Sequence, residues 1–214
     1  MGILNVTPDS FYDGGRYLEA QVAIDRAQQM VAEGADIIDI GGQSSRPGSD
    51  PVSEAEEAGR VLPVVQAVAK SVSAMISVDT YRAAIARAAL DAGAHLINDI
   101  SALRFDPTLL GVVAEYRAPL ILMHMQGMPR TMQLNPTYEA LIDEVFFFLH
   151  ERLKAAKAGG IAAERLLIDP GIGFGTRARD RTPSAADGRT SVQPRRKAAR
   201  PGPRNDCRSS ARGR

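Results

Sequence analysis

The chain has one cysteine, no apolar run of membrane-spanning length, and none of the common nucleophile or nucleotide signatures. Cys207 stands alone and cannot close an internal disulfide. The opening Met1-Gly2-Ile3-Leu4-Asn5 has neither a basic stretch nor a long apolar one. Neither a signal peptide nor a membrane span is expected, and a cytoplasmic location is the default. There is no G-x-S-x-G elbow, no zinc-spaced Cys/His set, no Walker A sequence and no dinucleotide fingerprint. Nucleophilic hydrolysis, structural zinc and P-loop chemistry therefore find no support.

A second scarcity is local. Residues 176–214 hold no aromatic residue and, alanine aside, one aliphatic residue, Val192. They carry eleven Arg and one Lys against three Asp, a net charge of about +9, while residues 1–175 carry about −8. A segment so poor in apolar surface cannot offset the entropy of ordering, so a disordered Arg/Pro-rich tail is expected there. The abrupt change near Gly175 also fits an out-of-frame reading of the gene, with an authentic basic tail as the alternative. The other two reading frames of the DNA test this. Nucleic-acid binding by the tail ranks low, because no aromatic residue could stack on bases, and no membrane partner is expected.

What is present is a repeated plan of apolar strand, polar loop and amphipathic helix. The organising stretch is residues 36–48, DIIDIGGQSSRPG. Its first part reads as a buried strand, and its glycines and Arg46 suit an anion, which a guanidinium can grip through two hydrogen bonds. Strands are predicted over 2–6, 36–40, 75–78, 95–98, 120–124 and 166–168. Helices are predicted over 18–33, 53–71, 83–92, 107–116 and 137–158. Ser53 with Glu56 forms a capping box, and Pro63 is expected to kink or split the second helix.

Six β/α units in succession predict an α/β protein with a parallel sheet. An open doubly wound sheet would gather its loops at one switch point; a (β/α)8 TIM barrel uses every strand's C-terminal end. Each of the six strands ends in polar residues, which favours a barrel, incomplete with about six units present. The expected domains are residues 1–175 and the tail, 176–214.

Among the strand ends, Asp79, Asn98 and Asp169 suit a nitrogen-rich heterocycle, since such oxygens accept hydrogen bonds from ring N–H and amino groups. A strand-end Asp or Asn also serves simply to cap the next helix, the commoner role for any one of them. Asn5, Ser45, Arg46 and the glycine-rich loops suit a phosphate or pyrophosphate with Mg²⁺. His95 and His150 read as structural; His124 is divided evenly between packing and pocket.

These stretches resemble dihydropteroate synthase. The motifs are GILNVTPDSF (2–11), DGG (13–15), DIGGQSSRPG (39–48), SVDT (77–80), NDIS (98–101), LMHMQGMP (122–129) and DPGIGFG (169–175). The resemblance covers residues 2–175 and implies an eight-stranded barrel, a transferase of folate biosynthesis inhibited by sulfonamides. Its substrates would be 6-hydroxymethyl-7,8-dihydropterin pyrophosphate and p-aminobenzoate, its products 7,8-dihydropteroate and pyrophosphate. Asp79, Asn98 and Asp169 would bind the pterin ring, and Asn5 would help place Mg²⁺. Ser45 and Arg46 would lie in a second mobile loop beside the substrates, with residues 7–16 forming the first. A homodimer is also implied.

Departures accompany the likeness. Gln43 and Ser45 stand where the family usually has Glu and Thr. The family's Ser-Arg-Lys and Arg-x-His motifs, from its last two strands, do not occur. A pterin-binding fragment without turnover is therefore the alternative expectation.

Overall fold

The computed structural model describes residues 1–6, 15–44 and 52–176, with side chains of 15–19 excepted. These all fall in one compact unit, Met1–Thr182. Of the predicted tail only Thr176 is described, and it is ordered, buried with its Oγ1 accepting from Gly173 N at 3.1 Å; the rest lies outside the described residues, as do most of the first loop and Ser45 and Arg46 of the second.

Strands and helices alternate: β1 (Gly2–Asn5), α1 (Gly15–Ala32), β2 (Ile37–Gly41), α2 (Glu54–Ala69), β3 (Met75–Asp79), α3 (Ala83–Asp91), β4 (Leu96–Asp99), α4 (Leu109–Tyr116), β5 (Leu120–Met123), α5 (Leu141–Ala158) and β6 (Leu166–Asp169). The strands form one sheet in the order β1-β2-β3-β4-β5-β6, every neighbour parallel. Sequential order with no reversal is barrel winding, not the doubly wound arrangement, whose order turns back at a switch point. Among the described residues β1 and β6 are the sheet edges. No described helix is long and apolar enough to cross a membrane.

Strand alternation divides the sheet into two faces. Leu4, Ile38, Ile40, Ile76, Val78, Ile97, Leu120 and Leu122 point outward and are buried beneath the helices. Val61, Val64, Val65 and Val68 of α2 meet them with Ala83, Ala86 and Ala89 of α3. Each such Val, Ile or Leu contributes roughly 1.5–3 kcal/mol by leaving water. On the opposite face Leu96 and Ile121 in the middle are buried, whereas Ile3 near one edge is 64% exposed and Leu167 near the other 44%.

Two expectations need correction. Of the two alternatives at Pro63, the split is excluded: α2 runs through it from Glu54 to Ala69. The buried valines on both sides of Pro63 hold the helix on the sheet, outweighing the roughly 3 kcal/mol that an interior proline costs. Helix α5 begins at Leu141, not near 137. The Gln126 side chain donates to Thr137 O (2.7 Å) and accepts from Thr137 N (2.9 Å), so this backbone is already spoken for before the helix starts. The capping box is half-present: Ser53 Oγ accepts from Glu56 N at 3.2 Å, while Glu56 pairs with Arg60.

Candidate active site

Strand register builds the site. Asn5 pairs with Gly41, Gly41 with Asp79, and Asp79 with Asn98. Register partners in parallel strands share a face, so these residues make one row across four strand ends. Asn98 pairs in turn with Ile121, and Met123, two residues on, pairs with Asp169. Asp169 therefore occupies the same face, one pleat nearer the C-terminal mouth.

The row has a gap at Gly41. A side-chain carbon there would lie 3.5 Å from Asp79 Oδ2 and 3.6 Å from Asn5 Oδ1, so both oxygens border the same small space. Asn5 is exposed, and its amide makes no hydrogen bond to another described residue. Asp79 also lines a small recess with Gln43, Ser44, Glu57, Thr80, Tyr81 and Ile100, of about 10 Å³, room for one water. Asn98 and Asp169 share its sheet face but do not line that recess.

Asp39 was missed as a site residue, being hidden inside an apolar strand motif. It lies one pleat below the row, paired in register with Ser77, and is 5% exposed. Its Oδ2 accepts from Asn98 Nδ2 at 3.0 Å, while Asp39 Oδ1 and Asn98 Oδ1 are buried without a partner. A carboxylate can only accept, so it turns the NH2 of Asn98 toward itself and leaves the amide oxygen as an acceptor. The site consequently presents acceptors in excess of donors. The only sequence signal for Asp39 was an acid alternating with isoleucines in a strand otherwise buried on both sides.

Burial shapes the charges. Asp79 is held well above the usual carboxylate range, first by burial and then by the nearby charges of Asp39, Glu57 and Asp99. Burial also raises Asp39, against the nearby Ser77 hydroxyl, which is too poorly placed to make a hydrogen bond, and against the hydrogen bond from Asn98. Asp99 points to the other face and is structural: it is raised by burial, and its carboxylate accepts from Ser101 N (2.8 Å) and Leu103 N (2.6 Å).

Asp169 closes its own turn, Oδ1 accepting from Gly171 N at 2.8 Å, which leaves one oxygen for a ligand. Gly171 is obligatory there. Its φ is +66°, and a Cβ would fall 1.8 Å from His124 O. His124 is a packing residue: 4% exposed, its ring edge-on to Phe148 at 5.0 Å, and pushed down by burial and by Arg104. His95 is structural as expected, with Nδ1 accepting from Ile76 N at 3.0 Å. Among the described residues no cluster of three His, Cys, Asp or Glu could hold a metal ion by itself.

Residues 1–186 match the family described as pterin binding enzyme. The chain belongs to that family. The pterin-binding enzymes it is similar to include the dihydropteroate synthase of Synechocystis, 49% identical over 174 residues, which are 81% of this chain and 60% of that protein. It is also similar to the Yersinia pestis dihydropteroate synthase in complex with a sulfonamide drug. That structure is 48% identical with a TM-score of 0.76, and the match covers 83% of this chain and 64% of the other. The Xanthomonas albilineans dihydropteroate synthase with 4-aminobenzoic acid is 46% identical with a TM-score of 0.77, over 84% of this chain and 63% of the other. The chain thus spans 60–63% of the length of the curated relatives it matches.

Proposed function

We propose that this chain is a dihydropteroate synthase: it binds 6-hydroxymethyl-7,8-dihydropterin pyrophosphate and transfers the pterin-methyl group to p-aminobenzoate, releasing pyrophosphate. The observation that carries the proposal is the row of acceptors at the strand mouths, with Asn98 turned by Asp39 so that its amide oxygen is left to accept from a ligand. A pterin edge carries ring N–H and amino groups side by side and matches such acceptors. Asp79 and Asn98 would hold that edge, with the free oxygen of Asp169 beyond β5. Asp39 and Asp79, whose protons burial holds tightly, would place carboxyl oxygens on the pterin side of the C–O bond to pyrophosphate, where positive charge develops as that bond lengthens. Ser45 and Arg46 would attend the pyrophosphate and aminobenzoate, in keeping with the chemistry of hydroxyl and guanidinium.

Magnesium belongs to the same proposal. The donor at hand is an amide oxygen, Asn5 Oδ1, which makes no hydrogen bond among the described residues and lies beside Asp79 across the Gly41 gap. Mg²⁺ takes few protein ligands and fills its sphere with water and phosphate oxygens, so a single oxygen suits an ion that arrives with a diphosphate. When bound, the ion would neutralise charge on the leaving pyrophosphate.

The test is to incubate the purified chain with both substrates and MgCl2 and follow dihydropteroate and pyrophosphate. Equal amounts of the two support the proposal. The open edges at β1 and β6 favour a second reading, pterin binding without turnover, which predicts a bound pterin and no dihydropteroate. Self-association into a dimer is proposed on the same family likeness, and sedimentation of the purified chain reads it.

A further inference from the structure

We infer that Glu57, Thr80 and Arg82 form a positioning clamp that fixes the strand end carrying Asp79, so that this carboxyl meets the pterin edge in one orientation. The inference rests on the pterin-binding reading and adds residues that need touch no substrate.

The clamp joins three elements. Glu57 sits in the first turn of α2 and is 2% exposed. Its Oε1 accepts from Thr80 Oγ1 at 2.7 Å, and its Oε2 from Arg82 Nη1 at 2.8 Å. Arg82 spends a second nitrogen on Val52 O at 2.6 Å and its backbone N–H on Thr80 Oγ1 at 3.2 Å. Thr80 N donates to Asn98 O at 3.1 Å, which ties the same turn to β4. The residue after Asp79 is thus fixed through its amide and its hydroxyl.

The β2 mouth is held by the same helix. Arg60 donates to Gly42 O at 3.1 Å, and a Cβ on Gly42 would meet Val61 Cγ2 at 2.5 Å and Glu57 Cγ at 3.3 Å. Only glycine lets β2 approach α2 this closely, which brings the Glu57 carboxylate beside Asp79 in a shared recess. A buried ion pair is a poor route to stability, because desolvation cancels much of the attraction and apolar residues of similar size often do as well. Here the α2 face around it is already valine. The pair's distinct contribution is directional: four donor–acceptor contacts whose geometry a hydrophobic cluster would not specify.

The test compares Thr80→Val, Arg82→Met and Thr80→Ser with the wild-type full chain, each shown folded by circular dichroism. Calorimetry is run well below each melting midpoint, with 6-hydroxymethylpterin as one ligand and inorganic pyrophosphate with MgCl2 as the other. The clamp predicts that Thr80→Val and Arg82→Met weaken pterin binding by about tenfold, the scale of one lost charge-assisted hydrogen bond. Pyrophosphate binding stays as in the wild type, and Thr80→Ser, which keeps the hydroxyl, restores pterin affinity. Unchanged pterin affinity in Thr80→Val, or equal loss for both ligands, overturns the clamp.

Amide hydrogen exchange without ligand decides the matter even if the wild type binds no pterin, an outcome that would sink the functional reading instead. Exchange across residues 79–83 should quicken by about tenfold in Thr80→Val and Arg82→Met but not in Thr80→Ser. Equal protection in all four proteins refutes the clamp.

Discussion

Asp79 concentrates the conflict between stability and function in one side chain. Its folded pKa is raised by burial and by neighbouring acids. The folded state therefore holds this proton more tightly than the unfolded chain does. The stability tied to it is present below the unfolded carboxyl range and is lost as pH rises through the folded value. Asp79→Asn removes the titration while keeping the shape. Its melting midpoint should exceed the wild type's at neutral pH, with the gap widening as pH rises above the unfolded carboxyl value of about 4. Each kcal/mol gained appears as about 2–4 °C in a chain of this size. Pterin affinity should fall in the same variant. A midpoint below the wild type's at neutral pH contradicts the assignment. Gly171 supplies a second test at this scale. Gly171→Ala must resolve a collision with His124 O at φ +66°, costing on the order of 1–3 kcal/mol, and should lower the urea midpoint while displacing Asp169.

Among the elements, α5 is the least well seated. Only Leu149 and Ala156 are buried along its 18 residues, while Ile142 is 77% exposed and Phe146 and Phe147 are each 62% exposed. Phe146 stacks on His150 at 5.9 Å and packs edge-on against Phe147 at 5.7 Å, so these rings cluster with one another in solvent. Joint substitution Phe146→Ser and Phe147→Ser should reduce both binding of an apolar dye and concentration-dependent sedimentation, with little change in the melting midpoint. Leu149→Ala should instead cost about 2–5 kcal/mol. A large loss of stability in the Phe double variant would show that those rings are covered. Elements also mark how far the sequence was readable. The six strands and five helices follow from hydrophobic period and turn residues, and their centres lie where the period puts them. The uninterrupted run through Pro63 and the start of α5 did not follow, because the burial of the flanking valines and the Gln126–Thr137 bonds depend on what the fold packs against these residues, not on the local signal for a break or a start.

Among the described residues the strands form a single sheet wound in sequence order with helices over one face, and the proposed site lies on the other. Strand-end position in the sequence was enough to put Asn5, Asp79, Asn98 and Asp169 on one sheet face, since register in a parallel sheet carries the first three to one level and Asp169 one pleat beyond. Asp39 and the Glu57–Arg82 pair were not legible: each is defined by a partner 25 to 59 residues away, and no local pattern announces a distant partner. The most direct measurement is calorimetry of the full chain with 6-hydroxymethyl-7,8-dihydropterin pyrophosphate and MgCl2, beside Asp79→Ala. The account predicts saturable one-to-one binding by the wild type and a loss of at least about tenfold in the variant, as two lost hydrogen bonds would give. Equal affinity in the two proteins, or no heat with a folded wild type, would contradict it.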